Sequence, residues 1–63
     1  MKVFLERTNE FREVKAKTVN ELLKKLNINP MVVLVIKNNT LVHEEEKLND
    51  KDEIKIISVV SGG

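Results

Sequence analysis

No cysteine occurs in the chain, which excludes a disulfide, a thiol nucleophile and a cysteine-ligated zinc. The single histidine, His43, cannot by itself build a histidine metal site or a conventional catalytic triad. Phe4 and Phe11 are the only aromatic residues, too few for the stacking platforms of single-stranded nucleic-acid binders. Charges nearly cancel, at a net +1, so no strong field draws in nucleic acid or an anionic membrane. The longest apolar run, Met31 to Ile36, is far too short to cross a bilayer. Lys2 is followed only by Val3, Phe4 and Leu5 before Glu6, which is no secretory signal. A soluble, cytoplasmic protein is the expectation. Glycine is the most telling scarcity. At ordinary usage a chain this long would hold roughly four. This one has two, Gly62 and Gly63, the last residues of the sequence.

What is present fits one small domain of 63 residues and 7.2 kDa. A chain this short buries only about 60% of the surface it exposes when unfolded, so its core is thin. Hydrophobic residues at 41% and charged residues at 33% are nonetheless a globular, not a disordered, composition. Val3-Phe4-Leu5 opens a first strand, with Val3 and Leu5 on one face and Phe4 on the other. After a polar interruption at Arg7 to Glu10, Phe11 to Ala16 reads as a second strand in which Val14 and Ala16 share a face. Phe11 has the opposite parity unless a bulge intervenes, so its side stays open.

Thr18-Val19-Asn20-Glu21 fits a capping box, and Val19, Leu22, Leu23 and Leu26 then form one helical stripe. Lys24 and Lys25 suit the last turn of the helix, which Asn27, Asn29 and Pro30 end. Met31 to Ile36 has no alternation and predicts a strand covered on much of both faces. Asn38-Asn39 predicts a tight turn into a short return strand at Leu41-Val42. His43 to Asp52 is polar apart from Leu48, a turn or short helical segment pinned by that leucine. Glu53 to Val60 is the last strand, with Ile54 and Ile56 on one face and Lys55, Ile57 and Val59 on the other. One amphipathic helix covers one sheet, and the order β-β-α-β-β-β predicts an α+β fold of the β-grasp type. Four to five strands then form a mixed sheet on one helix, with the terminal strands paired in the middle. Residues 1–60 are expected to form this single domain, and 61–63 a flexible tail.

The tail carries the chemistry. A chain-end carboxylate is inert until activated, and the general route is attack on ATP to form an acyl-adenylate. Two residues without Cβ can thread a narrow partner channel and leave the acyl carbon open to the next nucleophile. A persulfide would then give a thiocarboxylate, and a lysine amine an isopeptide. The bland alternative is a frayed end.

Thr18-Val19-Asn20-Glu21-Leu22-Leu23, Asn38-Asn39-Thr40-Leu41-Val42, the run Leu48 to Ile54 and Val59-Val60-Ser61-Gly62-Gly63 together resemble the ThiS/MoaD group. These are ubiquitin-like sulfur carriers of thiamine and molybdopterin synthesis, and the archaeal small modifiers are similar. The resemblance covers essentially the whole chain. It implies a β-grasp fold and a Gly63 carboxylate that a ubiquitin-activating-type adenylyltransferase adenylates with ATP and that becomes a thiocarboxylate. Ser61 and Gly62 would enter the partner's active site. A sulfur donor enzyme and a sulfur-accepting synthase are the further partners it implies, with thiazole, pterin or tRNA as the eventual acceptor. The group usually carries glycine in the hairpin and in the turn before the last strand, where Asn39 and Lys51 stand here. The short length and the Val60-Ser61 approach look more like ThiS and the archaeal modifiers than like MoaD.

Phe4, Ile57 and Val59 would share the sheet face away from the helix, near the tail, and are the expected partner-docking surface. His43 beside Glu44-Glu45-Glu46 lacks ligand spacing and reads as a solvated acidic loop, so no metal and no bound cofactor are expected. Lys24-Lys25 reads as a solvated helix face. With no phosphate loop and no nucleophile beside a base, the chain reads as a carrier and not an enzyme. Three readings follow: a sulfur carrier, a protein modifier joined to target lysines through Gly63, or a passive β-grasp interaction domain.

Overall fold

The computed structural model describes residues 1–59. Five strands form one sheet: β1 (Lys2–Leu5), β2 (Glu10–Glu13), β3 (Val33–Lys37), β4 (Thr40–Val42) and β5 (Glu53–Ser58). One α-helix, α1 (Val19–Lys25), and a 3₁₀ turn at Pro30–Val32 lie between β2 and β3. The strand order is β2-β1-β5-β3-β4, with β1 and β5 parallel and the other neighbours antiparallel. The first and last strands therefore pair at the centre, and β5 is held on both sides. This is the β-grasp arrangement, and the mixed sheet with one helix is as the strand pattern predicted.

Alternation builds the core. Val3, Val35, Ile54 and Ile56 face α1 and are buried with Val19, Leu22 and Leu23, while Met1 and Leu48 close the ends. Leu5, Val14, Ala16, Leu26, Ile28, Val33 and Val42 pack around this centre. Leu22 and Val3 are wholly out of water, the condition under which an apolar side chain contributes most.

The helix is set at both ends by its own sequence. Thr18 Oγ1 accepts from the Glu21 amide at 3.2 Å. The second half of the predicted capping box is displaced: Glu21 Oε2 accepts from the Lys17 amide at 3.4 Å. The Val19 and Asn20 amides instead donate to the carbonyls of Glu46 and Glu44, at 3.0 and 2.8 Å. The polar 43–52 segment thus seals the helix start, and it does so as turns rather than as a helix. At the other end Asn27 adopts φ 58°, and the Asn27 and Ile28 amides donate to Lys24 and Leu23 carbonyls. This is a Schellman cap with asparagine in the usual glycine position.

The missing glycines find their explanation here. Every described non-glycine residue with positive φ is an asparagine: Asn9, Asn27, Asn38 and Asn39. Asparagine tolerates the left-handed region better than most residues with a Cβ. Asn38 and Asn39, at φ 49° and 68°, make the two-residue β3–β4 turn that needs two left-handed residues. Lys51 is not among the positive-φ residues, so its turn places no demand for glycine there.

Three expectations are corrected. The second strand is Glu10–Glu13 and not Phe11 to Ala16. β2 pairs with β1 alone, and beyond the Val14 amide bond to the Met1 carbonyl at 3.1 Å no strand remains to pair with. Met31 and Val32 belong to the 3₁₀ turn, where Asn29 Oδ1 accepts from the Met31 amide at 2.9 Å. The run is also not covered on both faces: Met31 is 83% and Leu34 43% exposed. A single helix covers one side of a sheet, and the other side stays open. The last strand ends at Ser58, though Val59 extends its register through one bond to the Val32 carbonyl at 2.9 Å.

Candidate functional site

The open side of the sheet is where the expected docking residues lie. In register with Phe4 across β1 and β2 stands Phe11, and the two rings pack tilted with centroids 4.9 Å apart. This settles the side of Phe11. It shares the outer face with Phe4, opposite in parity to Val14 and without a bulge. Ile57 lies opposite Leu34 on β3, and Val59 continues the same side beyond the strand end. The three expected residues are therefore on one face, on adjacent strands β1 and β5.

The face is wider than the sequence reading made it. Phe11, Phe4, Lys55, Ile36 and Leu41 form one row across all five strands, set by the registers Phe4↔Phe11, Phe4↔Lys55, Ile36↔Lys55 and Ile36↔Leu41. Leu34 and Ile57 form a second row nearer the end of β5. Phe11 is 62%, Leu41 61% and Val59 50% exposed. Period-two alternation within β3 carried the signal for Leu34 and Ile36. An unbroken apolar run hides that alternation, because both parities look like core. Lys2 lies over the Phe11 ring, its ammonium 4.9 Å from the centroid, a cation–π contact at the far end of the face.

The tail residues Ser61, Gly62 and Gly63, with Val60, lie outside the described residues. What the structure does show is their anchor. β5 pairs with β1 over Glu53–Ile56 and with β3 over Ile54–Ser58, and Val59 is tied to Val32. Because a strand rises about 3.3 Å per residue, Ile57 lies roughly 7 Å before Val59, so the apolar face reaches the last described residue.

The ThiS family model matches residues 3–63. The chain belongs to the ThiS family. As a member of that family it is a small carrier and not a catalyst. It is 32% identical to the "Sulfur carrier protein TtuB" of Thermus thermophilus in a 66-residue alignment spanning all of both chains. It is also 37% identical over 51 residues to an uncharacterized protein of Archaeoglobus fulgidus, across 81% of this chain and 75% of that one. The ThiS match runs through both terminal glycines, so the family pattern includes the tail as well as the fold.

The remaining clusters hold the fold together. Lys37 Nζ donates to Glu46 Oε2 at 2.7 Å and to the Lys47 carbonyl at 3.1 Å. The hydrogen bond and charge of Lys37 hold the Glu46 carboxyl below its ordinary range, and Glu46 in turn raises Lys37. Asn38 Nδ2 donates to Asp52 Oδ1 at 3.0 Å, and Asn38 Oδ1 accepts from the Glu53 amide at 2.9 Å. The Asn49 amide, with that Asn38 contact, lowers the Asp52 carboxyl. His43 Nδ1 accepts from the Glu45 amide at 3.3 Å, a local turn contact. Among the described residues no three His, Cys, Asp or Glu side chains converge. No described helix is long and apolar enough to cross a membrane.

Proposed function

We propose that this ThiS-family chain carries sulfur on the carboxylate of Gly63. A ubiquitin-activating-type adenylyltransferase attaches AMP from ATP to that carboxylate and releases pyrophosphate. A persulfide on a sulfur donor enzyme then displaces AMP, and a second thiol reduces the resulting acyl disulfide to leave the thiocarboxylate. A sulfur-accepting enzyme consumes it and returns the carboxylate. ATP is the partner's substrate, and the carrier itself holds no cofactor. The observation that carries the reading is the family match extending through Gly62 and Gly63, directly after a strand fixed at the sheet centre. A rigid anchor lets the partner bind the domain and receive a short reactive end without ordering the whole chain at that moment.

In this reading the outer face, with Phe4, Ile57 and Val59, docks the adenylyltransferase while Ser61 and Gly62 lead Gly63 to the nucleotide. The test is intact mass after incubation with the host adenylyltransferase, ATP and a sulfide source. Replacement of one oxygen by sulfur is expected, and it should vanish in a chain lacking Gly63. A ladder of larger conjugates would favour the protein-modifier reading, with target lysines as acceptors. No mass change and no loss on removing Gly63 would leave a passive interaction domain.

A further inference from the structure

The centre of the outer face holds a charge where apolar contact would be expected. Lys55 is exposed on the central strand, with Phe4 beside it on β1 and Ile36 beside it on β3. Beyond those neighbours stand Phe11 and Leu41, so the ammonium is the only charge in a five-strand row. Glu53 precedes it by two residues on the same strand, yet none of the ion pairs or side-chain hydrogen bonds among the described residues includes Lys55. Lys2, by contrast, is spent on the Phe11 ring, and Lys25 and Lys37 are paired with Glu21 and Glu46. The surface beside Lys55 is a depression lined by Phe4, Phe11 and Ile36 together with Lys2, Glu53 and Lys55.

We propose that Lys55 is the specificity determinant of the docking face: it pairs with an aspartate or glutamate carboxylate on the adenylyltransferase, within a collar of apolar side chains. This rests on the docking reading above and names the chemistry of the partner's surface. The Lys55 ammonium, flanked in its row by Phe4 and Ile36 and in no ion pair among the described residues, is solvated in the free chain and loses that water when the face is covered. A neutral apolar partner would strip that water and bring no new counter-charge, a cost that an opposing carboxylate offsets. A second copy of this chain is disfavoured by the same charge. A two-fold interface centred on this face would bring Lys55 close to its own symmetry mate, like charges in a drying patch. The charge therefore selects for an acidic, different partner and against the chain itself.

The experiment measures ATP–pyrophosphate exchange by the host adenylyltransferase as the carrier concentration is varied, at low and high salt. Circular dichroism and thermal melts confirm that each variant is folded. Lys55→Glu should raise the KM for the carrier by about tenfold or more, with kcat little changed, since like charge now faces the partner carboxylate. Lys55→Met should bind with a KM nearly independent of salt, whereas the wild-type KM should rise with salt as the pair is screened. Wild-type KM and salt dependence in both variants, beside a raised KM in Ile57→Asp, would overturn the role of Lys55 and leave the docking face standing. Self-association of Lys55→Met with unaltered activation would overturn it too, reducing Lys55 to a solubilising charge. Exchange persisting in a chain without Gly63 would instead strike the underlying tail reading.

Discussion

Both faces of the sheet carry aliphatic side chains on the same strands, and only one of them is covered. On β5, Ile54 and Ile56 are buried, while Ile57 is half-buried and Val59 is 50% exposed. On β3, Val35 is buried and its neighbour Leu34 is 43% exposed. The inner face converts apolar area into stability because α1 excludes water from it. The outer face leaves Phe11, Leu34, Leu41 and Val59 largely in water, where their apolar area contributes less to folding.

The sharpest way to test this contrast is to shorten one residue on each face. Leu22→Ala, at a fully buried position, should cost about 2–5 kcal/mol in urea unfolding, enough to leave so small a domain largely unfolded. Leu41→Ser on the outer face should change stability by about 0.5 kcal/mol or less. Comparable losses at the two sites would break the division between packing and recognition. Between these extremes lies the rim of the inner layer. Thr18→Ala removes the hydroxyl that accepts from the Glu21 amide and should cost about 1 kcal/mol without altering the outer face. A variant whose activation changed more than its melting temperature would mean that the cap serves the site as well.

Asn27→Gly should stabilise by about 0.5–1 kcal/mol, because the left-handed cap suits glycine better than a residue with a Cβ. Lys51→Gly should give no such gain and should lose unfolded-state restriction, as Lys51 is outside the left-handed region. Melting temperatures that rose equally for both would show that backbone handedness is not what separates them. The smallest effect is expected from acid. Lys37 lowers the Glu46 carboxyl, so the pair's contribution is full above the ordinary glutamate range and is lost as pH falls through the lowered value. Glu46→Gln should flatten that acid limb of a stability–pH curve and leave the neutral region nearly unchanged. An unaltered limb would assign the acid sensitivity elsewhere, with Asp52, lowered by Asn49 and Asn38, the next group to replace.

The helix was legible because its signals are local. Thr18, the Val19-Leu22-Leu23-Leu26 stripe and Asn27 act within a few residues of one another. The Asn38-Asn39 turn and the alternation of β5 were legible for the same reason. The acceptors of the Val19 and Asn20 amides were not, since the Glu46 and Glu44 carbonyls reach them from some 25 residues away. Phe11 was ambiguous because parity fixes a face only once the register with Phe4 is known. Leu34, Ile36 and Leu41 were missed as part of the outer face because nothing local distinguishes a covered leucine from an uncovered one.

The sequence by itself determined the element order, the helix with its caps, the Asn38-Asn39 turn and the glycine pair at 62 and 63. Those are properties of short stretches, set by side-chain sterics and by hydrogen bonds between near neighbours. The tertiary structure alone decided which apolar face meets water, that Lys55 stands at its centre with no ion pair among the described residues, and that the 43–52 segment seals the helix. Each depends on which distant strands lie side by side, and a single helix can dry only one side of the sheet they make.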